Sequence, residues 1–381
     1  MTDQPIVQPE GNAGGDPSPV VDTGSSGRKK YTYRLEKREI SFGMQVLSIL
    51  AAVFLAILIS AGLIATSGAD VGGALLALWK GAFGNLKATL ETLVQATPIL
   101  FTGLAMVIAF RGKVINIGGE GQFFAGALAT AWVCLHYDTL PKGILIPLII
   151  LAAMLAGAFW AFIPGFLKAR FGVSEIVVTV MMNYIMTALT TYLLGGPWQA
   201  PNDHFLETAR FKAATFLPTF FHSRIHLGFW VALVIVVVLY IILWKTPLGY
   251  EIRAVGENPT AAKYKGIKAS TVIITVMLLS GAIAGLGGGM ELSGLAHRLR
   301  LDISTGYGYT GILIALLGRL NPIGVIPAAI FFGALVNGST SMQVNFNVPV
   351  PLVSTIQGVV LILVLAFDTV FRYRIRRIEV C

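Results

Sequence analysis

The sequence predicts an all-α protein that spans a membrane with about ten helices. Hydrophobic residues make up 55% of its 381 residues and charged residues only 12%, whereas charged residues make up about 25% of a soluble domain. Mean hydropathy is +0.75, and long apolar runs recur from residue 44 onwards. Such runs form helices in a bilayer, because a helix satisfies its own backbone hydrogen-bonding groups there.

Ten runs are apolar enough to be predicted as spans. They are 44–66, 93–110, 114–134, 144–166, 175–194, 228–244, 271–290, 306–320, 323–341 and 352–371. Residues 67–92 are amphipathic, which is typical of a surface or re-entrant helix, and we place them on the outer side. The run at 93–110 is shorter than the ~20 residues of a full crossing, so the sequence leaves its start open.

The distribution of lysine and arginine orients these spans. With the N-terminus in the cytoplasm, all but eight of the 28 basic residues lie on the inner side, as the positive-inside rule requires. The eight on the outer side are Lys80, Lys87, Lys142, Arg210, Lys212, Arg224, Arg298 and Arg300. Both termini and the loop 245–270 are therefore predicted to be cytoplasmic. The net charge of +9 is then explained by contact with anionic membrane lipid and not by nucleic acid.

The polar ends of the chain differ in composition from the membrane domain. Residues 1–40 begin rich in Gly, Pro, Ser and Asp and end basic, which predicts a disordered cytoplasmic tail. They lack the pattern of a signal peptide, so we expect the first span to remain as an anchor. Residues 41–375 form one transmembrane domain, and 376–381 form a short cytoplasmic tail.

The cytoplasmic loop 245–270 contains signals for one short helix. Asn258 can cap its N-terminus, Pro259 suits the first helical position and Gly266 stands where a C-cap glycine belongs. So short a helix is not stable alone in water, so it is expected to rest against a partner. An ordinary basic membrane loop is the alternative.

A second polar stretch, residues 110–122, reads FRGKVINIGGEGQ. It places Asn116, Glu120 and Gln122 at a span entrance that three glycines interrupt. Broken backbone at membrane depth is tolerated where it lines a cavity, and ionisable residues there are candidate functional groups. The alternative is a cytoplasmic turn with a capping glutamate.

Residues 306–319, GYGYTGILIALLGR, repeat this pattern of glycines at a span entrance. The first motif opens the third span and the second opens the eighth, and a five-span offset reverses the orientation. The pair therefore predicts an inverted repeat of spans 2–5 and 7–10, and such repeats place the substrate path at their interface.

Other polar residues within or beside the spans have two interpretations each. Asn183 and Gln357 are amides in mid-span, and they are either part of a solute path or interhelical hydrogen bonds worth about 0.6 kcal/mol. The histidines all fall in outer segments without metal-ligand spacing, and we expect them to be solvated. They are His136, His204, His222, His226 and His297. No metal site is predicted.

Together these stretches resemble the permeases of ABC importers. The similarity is carried by FRGKVINIGGEGQ, RAVGENPTAAKYKGI and SGAIAGLGG followed by GYGYTGI, and it extends from about residue 44 to 371. The family covers permeases for branched-chain amino acids, ribose-type sugars and nucleosides. The form N-I-G-x-E-G-Q is similar to the branch for purine nucleosides, which depends on a binding lipoprotein.

The resemblance implies roles and partners. Residues 253–267 would be a coupling helix that seats in a cytosolic ATP-binding protein. Its coupling residues would be Arg253, Gly256, Glu257, Asn258, Pro259, Ala262 and Gly266. The other implied partners are a second permease, forming a heterodimer, and an extracytoplasmic binding lipoprotein that docks on residues 196–226 and 291–305. The complex would lie in a bacterial plasma membrane.

The chain itself is not expected to be an enzyme. It lacks a G-x-x-x-x-G-K-[ST] loop, so ATP and Mg²⁺ would bind to the separate ATPase chain. Amides and aromatic residues along the path suit a neutral, hydrogen-bonding heterocycle with a ribose, which makes a nucleoside the expected solute. The predicted path residues are Asn116, Glu120, Gln122, Asn183 and Gln357.

Three alternatives remain open. The same family could import simple sugars such as ribose. An ion-coupled secondary transporter would also have ten spans and an inverted repeat. A membrane enzyme acting on lipid-linked substrates would need a cluster of acid–base or metal-binding residues at one face.

Overall fold

The computed structural model describes residues 30–37, 42–66, 68–201 and 205–380. They divide into a helical unit, within 41–371, and a small unit formed by 30–37 and 372–380. The α-helices are α1 (Phe42–Thr66), α2 (Val71–Phe83), α3 (Leu86–Arg111), α4 (Gly119–His136), α5 (Lys142–Phe171), α6 (Glu175–Leu194), α7 (Leu227–Lys245), α8 (Pro247–Glu257), α9 (Pro259–Tyr264), α10 (Ala269–Glu291), α11 (Tyr307–Leu317), α12 (Pro322–Phe346) and α13 (Val350–Arg372).

The all-α membrane fold is confirmed. Each of the ten predicted spans coincides with one of these helices. Among the described residues, six helices are long and apolar enough to cross a bilayer, namely α3, α5, α6, α7, α12 and α10 with its continuation to Ala296. The total of ten crossings and the cytoplasmic location of the termini stay predictions.

Two helix starts differ from the prediction for local reasons. α3 begins at Leu86 and not at 93, because the side chain of Asn85 caps it by accepting a hydrogen bond from Ala88 N at 2.8 Å. α4 begins at Gly119 and not at 114, since residues 112–118 are not helical. This non-helical part is called the break segment below. Its backbone turns where Gly118 N donates to Asn116 Oδ1 at 2.9 Å.

The amphipathic segment 67–92 contains α2 and the first turns of α3. α2 packs along α12, and side chains at Gly81 and Gly338 would overlap the opposite helix. Asp70 caps α2 by accepting hydrogen bonds from Gly72 N and Gly73 N. The polar residues that make this segment amphipathic therefore include its caps.

α3 is the central helix of the unit. Of the residues in its most apolar stretch, 83% are buried. In the corresponding stretches of α5 and α6 only 28% are buried, so each of these helices leaves one face uncovered. The main hydrophobic core runs along α3 from Ile99 to Ala109 and contacts α7, α10, α11 and α12. Buried glycines allow these helices to approach closely, which is common in membrane helices.

The helix contacts follow the pattern that the predicted inverted repeat requires. α3 packs against α11 and α12, and α10 packs in the same way against α4 and α5. A glycine of the corresponding helix permits each close approach: Gly311 of α11 lies on Thr102 of α3, and Gly126 of α4 lies on Gly285 of α10. α3 also contacts α10, and α4 contacts α11. Exchanging α3, α4 and α5 with α10, α11 and α12 therefore maps these contacts onto one another.

The small unit is a two-stranded antiparallel sheet. Strand β1 (Lys30–Lys37) pairs with β2 (Tyr373–Val380), with Lys30 opposite Val380 and Lys37 opposite Tyr373. Strand β1 differs from the predicted disorder of residues 1–40, since KYTYRLEK has β-forming residues at alternate positions. The remainder of the predicted disordered tail, residues 1–29 and 38–40, lies outside the described residues.

Candidate functional site

The N-termini of α4 and α11 meet inside the helical unit. Gly308 N donates a hydrogen bond to Glu120 Oε2 at 2.7 Å. A side chain at position 308 would overlap the backbone nitrogen of Glu120, so only glycine permits this approach. Gly306, before α11, has φ +92°, which also favours glycine. The partial positive charge of both helix N-termini is directed at a carboxylate that is only 7% exposed.

Asn183 of α6 connects the parts of this site. Its Oδ1 accepts a hydrogen bond from Gly121 N at 2.8 Å. Its Nδ2 donates to Ile117 O in the break segment at 2.9 Å and to the Tyr309 hydroxyl of α11 at 3.2 Å. We call Glu120, Asn183, Gly308 and Tyr309 the junction. α6 thereby holds the break segment, α4 and α11 together.

Asn116 and Gln122 form a reciprocal amide pair beside the junction. Each side chain donates to the other at 3.0 Å, and Asn116 Nδ2 also donates to Ser280 Oγ of α10 at 2.9 Å. With Gly118 N donating to Asn116 Oδ1, both donors and both acceptor positions of the Asn116 amide are used. Both residues are at most 1% exposed. They anchor the break segment to α10, and Asn116 presents no free group to a solute.

Gln357 lies apart from the other predicted path residues. It belongs to α13, whose neighbours Ile356 and Val360 pack with α1, α2 and the end of α12 in a separate hydrophobic cluster. No described hydrogen bond joins it to the junction. Of the five predicted path residues, the structure therefore brings four together and leaves Gln357 elsewhere.

Sequence reasoning missed Tyr309 and Ser280 as parts of this site. Tyr309 is 43% exposed, and its hydroxyl is the hydrogen-bond partner of Asn183. The motif G-Y-G-Y-T-G contains Tyr309, so the repeated glycine pattern could have indicated it. Ser280 is the first residue of the motif SGAIAGLGG, but the motif does not indicate its partner, because the contact with Asn116 joins residues 164 positions apart.

The loop 245–270 contains two helices, α8 and α9. The predicted cap is present: Asn258 Oδ1 accepts hydrogen bonds from Thr260 N at 3.0 Å and Ala261 N at 3.1 Å. Gly266 adopts φ +81° after the end of α9. Ala262 is the buried residue of α9, whereas Tyr264 is 90% exposed. α9 is thus a formed helix, and all of its residues except Ala262 are exposed.

The predicted coupling residues fall into two groups. Glu257, Asn258, Pro259 and Gly266 are exposed, and Arg253 is partly exposed. Gly256 is buried, and a side chain there would overlap the carbonyl oxygen of Arg111 at the end of α3. Packing within this chain therefore explains why position 256 needs a glycine.

On the predicted outer side, the segments before α7 and after α10 contact each other. Glu207 forms an ion pair with Arg298, and Thr208 N donates to Leu299 O at 3.0 Å. The His297 ring stacks on Phe216 with centroids 3.8 Å apart. The two stretches predicted to receive a binding protein therefore form one surface.

The expectation of solvated outer histidines is wrong for His226, which is 1% exposed. Its Nδ1 accepts a hydrogen bond from Gly228 N at 3.1 Å and caps α7. Burial, followed by the charge of neighbouring His297, lowers the pKa of His226 to about 4. His297 is partly buried, and burial lowers its pKa too. His204 lies outside the described residues.

Among the residues that are described, no cluster of His, Cys, Asp or Glu could hold a metal ion.

Comparison with known proteins identifies relatives of this sequence. Residues 88–365 match the family described as "Branched-chain amino acid transport system / permease component". A glucose ABC transporter permease protein of Haloferax volcanii is 40% identical over 296 residues, which cover 75% of this chain and 78% of that protein. A guanosine ABC transporter permease protein of Bacillus subtilis is 38% identical over 322 residues, which cover 83% of this chain and 91% of that protein.

A second guanosine ABC transporter permease protein of Bacillus subtilis is 32% identical over 251 residues, which cover 64% of this chain and 78% of that protein. These relatives are permease subunits, which places the chain in the plasma membrane and assigns ATP hydrolysis to a different subunit. The chain belongs to the family of branched-chain amino acid transport system permease components, as a multi-pass permease subunit of an ABC importer.

Proposed function

We propose that this permease carries nucleosides inward and that the solute passes the junction. The observation that carries the proposal is the meeting of two helix N-termini at Glu120, with the exposed Tyr309 beside them. Broken helices whose N-termini face a polar site at mid-membrane are the usual substrate sites of transporters with inverted repeats. The 38% identity to a guanosine permease supports a nucleoside as the solute.

The groups at the junction suit a neutral solute with hydroxyl and amino groups. The Glu120 carboxylate accepts hydrogen bonds, the Tyr309 hydroxyl donates or accepts them, and the Tyr309 ring offers a face for stacking on a base. In the described state these groups bond to one another, so a passing solute would replace Gly308 N and Asn183 as partners. Such exchange keeps buried polar groups paired throughout transport.

The ATP-binding partner would dock on α9 and the exposed residues around it. α9 has only six residues, so a cytosolic partner that packs against Tyr264 would stabilise it. ATP and Mg²⁺ would bind to that partner. A binding lipoprotein would deliver the solute to the outer surface formed by 205–226 and 297–303, where Phe205 and Phe221 are 73% and 66% exposed.

The second permease would pack on α6. The exposed face of α6 carries the hydroxyl groups of Tyr184 and Tyr192, whereas the exposed face of α5 is apolar at Leu155 and Phe159. Lipid tails offer hydroxyl groups no partner, so α5 suits the lipid and α6 suits another protein. A heterodimer is supported by the two guanosine permeases of Bacillus subtilis, which are different chains.

The experiment begins with the tagged chain, extracted in mild detergent from its own cells. Co-purification of an ATP-binding protein, a second permease and a lipoprotein would support the complex. The complex in liposomes should then accumulate labelled guanosine only with ATP. Recovery of the chain without an ATPase, and uptake that stops when an ion gradient is collapsed at constant ATP, would instead support a secondary transporter.

A simple sugar is the second candidate solute, because the glucose permease of Haloferax volcanii is 40% identical to this chain. Unlabelled glucose or ribose should not compete with labelled guanosine in the same liposomes. ATP-dependent uptake of labelled glucose or ribose, with no uptake of guanosine, would replace the nucleoside proposal but leave the importer assignment unchanged.

A further inference from the structure

Arg111 is the last residue of α3 and contacts three other elements. Its Nε donates to Leu320 O, in the turn after α11, at 2.8 Å. Its guanidinium lies over the Trp244 ring at the end of α7, with Cζ 5.1 Å from the ring centroid. Its carbonyl oxygen lies directly against Gly256 of α8. One residue therefore joins α3, α7, α8 and the turn between α11 and α12.

The first connection from Arg111 to the junction runs along the chain. The break segment follows Arg111 directly and leads to Glu120 at the start of α4. The loop 245–270 also contacts the break segment, because Lys113 Nζ donates a hydrogen bond to Glu257 O at 3.3 Å. Lys113 has φ +51°, so the chain turns sharply there.

The second connection runs through α11. This helix has 11 residues, and a tight turn ends it, with Leu320 N donating to Ala315 O at 2.8 Å. Its far end supplies Gly308 N to the Glu120 carboxylate. A hydrogen-bonded helix of this length moves as a rigid rod, so a displacement of Leu320 also displaces Gly308. Both partners of the Glu120–Gly308 bond are thus connected to Arg111.

We propose that Arg111 is the positioning residue through which movement of α8 reaches the Glu120–Gly308 bond. The contact between α8 and Arg111 is backbone against backbone, because Gly256 has no side chain that could rearrange and absorb a displacement. The inference rests on the proposed function in one respect, namely that an ATPase docks on the loop that contains α8 and α9.

The test compares Arg111→Gln with Lys245→Gln in the complete importer in liposomes. Lys245 is an exposed basic residue at the end of α7, so its substitution removes the same charge without the contacts of Arg111. Arg111→Gln keeps the backbone contact with Gly256 but removes the side-chain contacts with Leu320 O and the Trp244 ring. The variant should bind the ATPase and hydrolyse ATP like the wild type while uptake falls about tenfold, the order expected for a loss of coupling between sites. Lys245→Gln should leave uptake unchanged.

A distance measurement separates coupling from simple loss of structure. Spin labels on Trp132→Cys in α4 and Leu316→Cys in α11, both exposed sites, report the relative position of the two helices. Cys134 and Cys381 are replaced by serine in this background. ATP should change the label distance in the wild type and with Lys245→Gln, but not with Arg111→Gln.

Three results would overturn the proposal: loss of ATPase binding by Arg111→Gln, a normal ATP-induced distance change in that variant, or normal uptake without any distance change in the wild type. If Arg111→Gln does not insert, Arg111→Lys replaces it, because lysine lacks the planar guanidinium that donates from Nε while lying over Trp244. Failure of the wild type itself to bind an ATPase or to transport would instead contradict the proposed function.

Discussion

Among single residues, Asn183 has the largest structural role at the junction. Its amide satisfies Gly121 N and Ile117 O, two backbone groups that the interruption between α3 and α4 leaves without helical partners. Asn183 is 3% exposed, so water does not replace these bonds readily. An isolated interhelical hydrogen bond in a membrane contributes about 0.6 kcal/mol, whereas an unpaired buried group costs about 1–3 kcal/mol. The cost of leaving Gly121 N and Ile117 O unpaired is therefore larger than the contribution of the hydrogen bond itself.

Asn183→Ala should therefore lower the free energy of unfolding in detergent by about 1–3 kcal/mol and reduce uptake. Thr187→Val is the matched control on the same helix, because Thr187 is exposed and its hydroxyl bonds to Asn183 O one turn away. Unfolding is followed by loss of far-ultraviolet circular dichroism with denaturant. Equal effects of the two variants would show that Asn183 is an ordinary interhelical contact.

His226, at the start of α7, makes the stability of the fold depend on pH. Its pKa in the folded chain, about 4, lies below the value of about 6.5 in an unfolded chain. Its contribution to stability is therefore complete above about pH 6.5 and is lost as the pH falls towards 4. At His297, the cationic Arg210 and Arg224 also oppose protonation.

His226→Asn should remove most of the decrease in melting temperature between pH 7 and pH 5 that the wild type shows, on the order of 2 kcal/mol of stability. Asparagine can still cap α7 but does not titrate. His222→Asn, an exposed position in the same loop with φ +50°, should keep the wild-type pH dependence. Identical pH profiles of wild type and His226→Asn would show that this histidine does not destabilise the fold in acid.

At the scale of elements, α9 depends on its cap more than a longer helix would. The helix has six residues and one buried side chain, Ala262, so few contacts of its own chain hold it. Asn258 supplies acceptors for two of its first N–H groups. Loss of such a cap costs about 1 kcal/mol, which is a large share of the stability of so short a helix.

Asn258→Ala should weaken binding of the ATP-binding protein about fivefold, because binding must then supply the free energy of ordering α9. The matched control is Asn321→Ala, which removes the N-terminal cap of α12, a helix outside the loop 245–270. Binding is measured by titration of the ATPase onto the permease in nanodiscs. A similar loss in both variants would indicate general destabilisation and not a role of α9 in docking.

At the scale of the whole molecule, the two poorly buried helices differ in chemistry. α5 and α6 are each 28% buried, but only α6 presents hydroxyl groups on its exposed face. A lone permease would place the hydroxyls of Tyr184 and Tyr192 in lipid, where they lack partners. The helical unit is therefore well buried along α3 and exposed along α6, where we propose that the second permease packs.

Tyr184→Cys on α6 should cross-link to the second permease in native membranes. Phe159→Cys on α5 is the control, because the two side chains are similarly exposed, at 67% and 64%. The products are identified by mass spectrometry after treatment with a short bifunctional reagent. Cross-linking of Phe159→Cys in place of Tyr184→Cys would place the second permease on α5.

The sequence alone determined the membrane helices, the cap at Asn258 and the glycines at the starts of α4 and α11. Each depends on residues within a few positions of one another: apolar runs, a capping side chain before a proline, or a glycine at a turn. The motifs also identified the family. These features are local, so neighbouring residues decide them whatever the rest of the chain does.

Only the tertiary structure decided which side chains meet. Glu120 and Gly308 are 188 positions apart, and Arg111 and Leu320 are 209 apart. The same packing makes Asn116 and Gln122 partners of each other, moves Gln357 away from them, buries His226 and places Gly256 against α3. Hydropathy shows that a residue lies in or near the membrane, but its partners depend on how distant helices pack, because burial and hydrogen bonding are properties of the assembled core.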